Sequence, residues 1–110
     1  MGEEYPSPDN RYVLVLGCNE YRMSHWVCSP LLKDNSDGGA IFSAGSMWDA
    51  GNIRWSDDSR TLSFSMRKYP GHSVHNHEVL IRLYDEIAEV TQEGKEKRVM
   101  KLWELSGLFL

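Results

Sequence analysis

The sequence repeats one pattern, a polar turn containing aspartate that leads through an arginine into an apolar strand. The first copy is residues 7–15, SPDNRYVLV, and the second is residues 56–64, SDDSRTLSF. The serines that open them lie 49 positions apart (56 − 7). Proline presets a turn, and aspartate or asparagine bonds the backbone two residues on, so each copy predicts a turn that launches a strand. A chain built on two such units is expected to be mainly β.

The two launched strands differ in pattern. Residues 61–67 alternate between polar and apolar side chains, which predicts a strand with Leu62, Phe64 and Met66 on its buried face and polar residues on its wet face. Residues 12–16 are apolar throughout. An uninterrupted apolar run predicts a strand that is covered on both faces, or a central one.

The rest of the chain is also rich in strand signals. Residues 33–39 end in Asp-Gly-Gly and predict a hairpin loop. Residues 1–6 are expected to be a loose tail, and residues 45–52 a glycine-flanked loop. Residues 98–105 fit a strand or a helix, and their good helix formers favour a final helix. Further strands are expected at residues 26–32, 40–44, 53–55, 79–84 and 87–91, the last two in preference to one helix across residues 79–90.

Length and composition set the class of protein. The chain has 110 residues, 41% of them hydrophobic, enough to bury a core in one domain spanning residues 1–110. The net charge of −4, with no basic cluster, argues against nucleic acid as a partner. No apolar run approaches the roughly 18 to 20 residues that span a bilayer, so no membrane partner is expected. We expect a mainly antiparallel β domain of about six to eight strands, as a small sheet, sandwich or partial barrel, with or without one C-terminal helix.

Cys18 and Cys28 are the only cysteines. They could bond across a hairpin, but spacing alone does not show the geometry that a disulfide needs. Residues 1–6 carry no basic or apolar signal region, and two cysteines without such a signal are more often free. We therefore expect buried thiols and a cytoplasmic location.

Residues 7–15 resemble the Ser-Pro-Asp-Gly turn and following strand of TolB-like and WD40-like β-propeller blades. Residues 53–64 look like the next blade, and the spacing of the copies is close to a blade period of roughly 40 to 50 residues. Asn10 and Ser59 stand where the family prefers glycine, and Asp57 stands where it prefers proline. Since a propeller needs about four or more blades to close, the resemblance implies a small blade-like sheet structure or an assembly with partners. Such a resemblance names no function.

Cationic, histidine and aromatic residues occur at strand ends that a hairpin architecture could bring together. Such a cluster could bind an anion or an acidic side chain of a partner protein, and an exposed tryptophan would be a binding hot spot. The alternative is a set of ordinary solvated loop residues. The candidate binding residues are Arg22, His25, Trp48, Arg67, Lys68, Tyr69 and His72.

His72, His75 and His77 have the spacing most typical of a metal site in this chain. Histidines two apart on a strand point the same way and could share a zinc ion. The alternative is a polar loop that happens to be rich in histidine, because no cysteine pair or HExxH motif supports a site.

Catalytic motifs are missing from the sequence. No serine lies in a Gly-x-Ser-x-Gly elbow, and no glycine-rich loop carries the lysine of a P-loop. We therefore expect a non-catalytic protein-binding module without a cofactor, of which a bacterial immunity or inhibitor protein is one example. The rival hypotheses are a metal-binding protein or metal-dependent enzyme, and a homo-oligomer that pairs through strand edges.

Overall fold

Nine strands and a short C-terminal helix make up the part of the chain that the computed structural model describes, residues 2–21, 25–68 and 77–109. The strands form two antiparallel sheets, in each of which strands adjacent in the chain pair with one another. Sheet A contains β1 (Gly2–Pro6), β2 (Tyr12–Tyr21), β3 (His25–Asp34) and β4 (Ala40–Ser43). Sheet B contains β5 (Trp48–Trp55), β6 (Thr61–Lys68), β7 (His77–Arg82), β8 (Ile87–Gln92) and β9 (Arg98–Lys101).

A short helical segment follows β9. It consists of a 3₁₀ turn, Leu102–Glu104, and the helix α1, Leu105–Leu108. Within the described residues, neither piece has the length or the apolar character of a membrane-spanning helix. The predicted fold class, mainly antiparallel β with one C-terminal helix, is confirmed, and the described strands number one more than the expected range.

Long-range pairing explains where the predicted elements were wrong. The expected loose tail is a strand from Gly2 to Pro6, because it pairs with β2 along its length. The loop expected at residues 45–52 gives way to β5 at Trp48. The final helix expected over residues 98–105 begins only after β9, because Arg98–Lys101 completes sheet B against β8. Tertiary contacts outweigh local propensity at all three places.

The first copy of the repeated turn joins β1 to β2. The Ser7 hydroxyl donates to Asp9 Oδ1 (2.7 Å) and accepts the Tyr12 amide (3.1 Å). Asp9 Oδ1 also accepts the Arg11 amide at 3.0 Å. Asn10 has a φ of 62°, in the left-handed region that asparagine tolerates better than most residues. The side chains therefore close the turn as its sequence predicts.

The second copy joins β5 to β6 with the same bonds. The Ser56 hydroxyl donates to Asp58 Oδ1 (2.6 Å) and accepts the Thr61 amide (3.0 Å), and Asp58 Oδ1 accepts the Arg60 amide (3.1 Å). Ser59 has a φ of 63°. The two copies are thus equivalent in structure as well as in sequence. Whether each sheet is a propeller blade in the evolutionary sense stays a prediction.

Acid should weaken both turns. Hydrogen bonds from the hydroxyls of Ser7 and Ser56 are the main cause that lowers the pKa of Asp9 and of Asp58 below the usual value. A carboxyl group with a lowered folded-state pKa stabilises the fold above its unfolded pKa of about 3.9, and that contribution is lost as the pH falls through the folded value. We expect the free energy of unfolding, measured with urea, to fall between about pH 5 and pH 3. The double variant Asp9→Asn, Asp58→Asn should show a smaller fall, and an unchanged pH profile would contradict this role.

The two sheets pack face to face around a shared apolar core. Leu62, Phe64 and Met66 are buried in it, which confirms the face predicted from their alternation. Sheet A contributes Leu14 and Phe42, and the rings of Phe42 and Phe64 stack with centroids 6.1 Å apart. The sheets thus bury one face each against the other.

Cys18 and Cys28 form a disulfide, so the expectation of free thiols is wrong. The antiparallel register of β2 and β3 places the two cysteines directly opposite each other. Register depends on the pairing of whole strands, and the spacing of two cysteines in the sequence does not reveal it.

Candidate functional site

The predicted binding cluster is only partly within the described residues. Arg22, Tyr69 and His72 lie outside them, so their placement stays a prediction. His25 is the first residue of β3 and Lys68 is the last residue of β6.

Trp48 is a core residue and not an exposed anchor. It begins β5 and is 8% exposed. Its ring meets the Phe109 ring edge-on at 4.7 Å and the His77 ring at 5.3 Å between centroids. The glycines on either side suggested a loop, but β5 starts at this tryptophan and the C-terminal segment packs against it. The expected loop placement is therefore wrong.

Arg67 takes part in a polar link between the sheets. Its Nε donates to Asp49 Oδ2 at 3.0 Å, and Asp49 Oδ1 accepts the Cys28 amide of β3 at 2.8 Å. Asp49 is 8% exposed, so this carboxylate joins β3 of sheet A to β6 of sheet B in a largely dry environment. Arg67 therefore belongs to a structural link between the sheets, and its role in binding stays a prediction.

The histidine cluster cannot be assembled from the described residues. His72 and His75 lie outside them, and the described His77 packs against the rings of Trp48 and Phe109. Residues 2–21, 25–68 and 77–109 contain no group of three or more potential metal ligands. The metal site stays a prediction.

A cleft of about 430 Å³ opens between the sheets near the first repeated turn. Three of the residues that line it, Tyr12, Leu83 and Leu102, are buried. Its lining residues are Arg11, Tyr12, Asp34, Ile41, Leu83, Tyr84, Glu86 and Leu102.

Charged groups form one side of this cleft. The Arg11 guanidinium lies 5.2 Å from the centre of the Tyr12 ring, and its Nη2 is 3.9 Å from Asp34 Oδ2. The amide and the hydroxyl of Ser36 donate to Asp34 Oδ1 at 2.9 Å and 2.7 Å. These hydrogen bonds, helped by the Arg11 charge, lower the pKa of Asp34, so it is ionised at neutral pH. Burial raises the pKa of Tyr12, which therefore stays a neutral phenol.

Tyr84 forms another side, on the turn between β7 and β8. Its side chain is 53% exposed, and the Arg60 guanidinium lies 5.0 Å from its ring centre. The turn is tied to the second repeat, because the Leu83 amide donates to the Arg60 carbonyl at 2.9 Å. Tyr84 is thus exposed but well positioned.

A second cleft, of about 350 Å³, lies beside Trp103 and shares lining residues with the first. Trp103 is 75% exposed, more than any other large hydrophobic residue among those described. The Leu102 amide donates to the Glu86 carbonyl (2.8 Å), and the Lys101 amide donates to Glu104 Oε2 (2.9 Å). The segment that carries Trp103 is therefore fixed. The second cleft is lined by Ile41, Asp85, Glu86, Lys101, Leu102 and Trp103.

We call the two clefts together the aromatic groove, since Tyr84 and Trp103 stand over them and they share Ile41, Glu86 and Leu102. No protein-family model, no curated protein and no solved structure matches this chain.

The groove was missed in the sequence because its residues come from segments far apart in the chain. One sign of the groove in the sequence is Trp103, which directly follows the buried Leu102 and lies two residues before the buried Leu105.

Proposed function

We propose that the protein is a non-catalytic protein-binding module whose contact surface is the aromatic groove. The observation that carries this proposal is Trp103, 75% exposed on a segment held by hydrogen bonds and by the buried Leu102 and Leu105. Ordered, exposed tryptophan is costly to leave in water and is enriched among the residues that dominate binding energy.

The chemistry of the groove suits an apolar side chain of a partner loop or strand. Its lining combines buried residues with charged groups of both signs, among them Arg11, Lys101, Asp34 and Glu86. An apolar centre with a polar rim is the usual make-up of a protein interface. The partner residue would enter between Tyr84 and Trp103 while polar groups beside it pair with the rim.

An inhibitor-like or immunity-like protein is a concrete member of this class. The net charge of −4 suits a basic partner, because opposite charges speed association. The Cys18–Cys28 bond supports a working location in an oxidising compartment, in place of the cytoplasm that free thiols would favour.

Trp103→Ala should abolish capture of the native partner. Truncating a hot-spot tryptophan costs at least about 2 kcal/mol, or roughly a 30-fold weaker Kd. We would capture partners from the source cell with the tagged wild-type protein, identify them by mass spectrometry and measure the Kd of the purified pair by calorimetry.

The matched control is Trp26→Ala, which removes another exposed tryptophan, 44% exposed, from β3. A partner of the groove binds the wild type and Trp26→Ala alike and is lost with Trp103→Ala. Equal binding by all three proteins would refute the groove as the contact surface.

A further inference from the structure

The two copies of the repeated unit turn opposite faces of their strands toward the shared core. Since Ser7 corresponds to Ser56, Leu14 of β2 corresponds to Ser63 of β6, and Val15 corresponds to Phe64. In sheet A the buried core residue is Leu14, whereas in sheet B it is Phe64. The core is therefore formed by one face of the first unit and the opposite face of the second, so each unit has a further face that the other does not cover.

The outer face of sheet B is largely polar, although it also carries the half-buried Leu80 and the exposed Val99. The Ser65 hydroxyl lies 2.9 Å and 3.0 Å from the two carboxylate oxygens of Glu78. Glu89 pairs with Arg82 at 2.8 Å and with Lys97 at 2.9 Å. A polar outer face is the expected end of a stack of repeated units.

The outer face of sheet A carries an apolar patch at its centre. Val15 of β2 lies directly opposite Leu31 of β3, and Val13, on the same face of β2, is buried. The corresponding pair in sheet B is Phe64 and Val79, which lie directly opposite each other and are buried in the core. Val15 and Leu31 are only half-buried. The uninterrupted apolar run at residues 12–16 predicted a strand covered on both faces or a central one, and β2 is central in sheet A, between β1 and β3.

We propose that two copies of the chain associate through the outer face of sheet A. Charge favours a second copy as the occupant. Glu4 of β1 lies opposite Val15, and Lys33 of β3 lies opposite Val13, so the acid and the base flank β2 on the same face. With a two-fold axis along β2, β1 of each copy lies over β3 of the other. Each Glu4 then comes close to Lys33 of the partner around an apolar centre.

Copies of this chain are not expected to stack with sheet A of one copy on sheet B of the next. That arrangement would place the apolar patch of one copy on the largely polar outer face of sheet B of the other. The ion pairs of Glu89 would lose water without gaining a partner, which is costly. Pairing like face with like face avoids this loss and gives a closed dimer, not a ring or filament.

Analytical ultracentrifugation of the purified full chain tests the proposal. The wild type should sediment as a concentration-dependent dimer, and Leu31→Lys should raise the dimer dissociation constant at least about 30-fold, as expected for a charge placed in an apolar contact. Leu80→Lys is the matched control, because Leu80 is a half-buried leucine on the outer face of sheet B. It should leave the dimer intact.

Exchanging the charges of Glu4 and Lys33 distinguishes loss of the dimer contact from a folding defect. Glu4→Lys should weaken the dimer, and adding Lys33→Glu should restore it. A wild type that is monomeric at all concentrations, a dimer that survives Leu31→Lys, or a dimer that Trp103→Ala disrupts instead would overturn the proposal.

Discussion

Replacing Asp49 with alanine should lower the free energy of unfolding by about 3 kcal/mol, as removing one partner of a buried ion pair typically does. The carboxylate accepts the Cys28 amide with one oxygen and Arg67 Nε with the other, and it is 8% exposed. Its loss takes a hydrogen bond from each of two partners, one in each sheet. Urea unfolding followed by tryptophan fluorescence measures the change.

Two further variants separate charge from hydrogen bonding. Asp49→Asn keeps an acceptor for the Cys28 amide and should lose less stability than Asp49→Ala. Asp57→Ala removes an exposed aspartate of the second turn and should stay within about 0.5 kcal/mol of the wild type. If Asp49→Ala were as stable as Asp57→Ala, the link between the sheets would contribute little.

Reducing the disulfide should have a similarly large effect. Cys18 and Cys28 are separated by 10 positions, and closing a loop of that size stabilises the folded state by about 3 kcal/mol in the chain-entropy model. Urea unfolding of the oxidised protein with and without a reductant gives the difference. The double variant Cys18→Ala, Cys28→Ala should match the reduced protein and no longer respond to reductant.

Alkylation under non-reducing conditions tests whether the Cys18–Cys28 bond is present. If both cysteines of the unfolded, non-reduced protein were alkylated, the thiols would be free, and the support for an oxidising compartment would disappear. A stability that does not change on reduction would show that the bond contributes nothing to the fold.

Features decided by neighbouring residues were predictable from the sequence. The burial of Leu62, Phe64 and Met66 follows from their alternation, because side chains on a strand point to opposite faces in turn. The turns opened by Ser7 and Ser56 follow from the ability of short polar side chains to bond nearby amides. In both cases the information lies within a few residues of the structure it determines.

Features decided by pairing between distant segments were not predictable in this way. Gly2–Pro6 has little strand character and is ordered by β2, and the Cys18–Cys28 bond depends on the register of a hairpin. Trp48 looked exposed between glycines because its contact with Phe109 joins residues 61 positions apart (109 − 48). The aromatic groove is of the same kind, since its lining residues come together only in the folded chain.

The most direct test of protein binding through the groove is hydrogen–deuterium exchange of the free protein and of its complex with the captured partner. Binding through the aromatic groove predicts slower exchange at residues 83–86 and 101–105 in the complex, with little change at residues 61–67. Slower exchange confined to residues 61–67, with residues 83–86 and 101–105 unchanged, would contradict it.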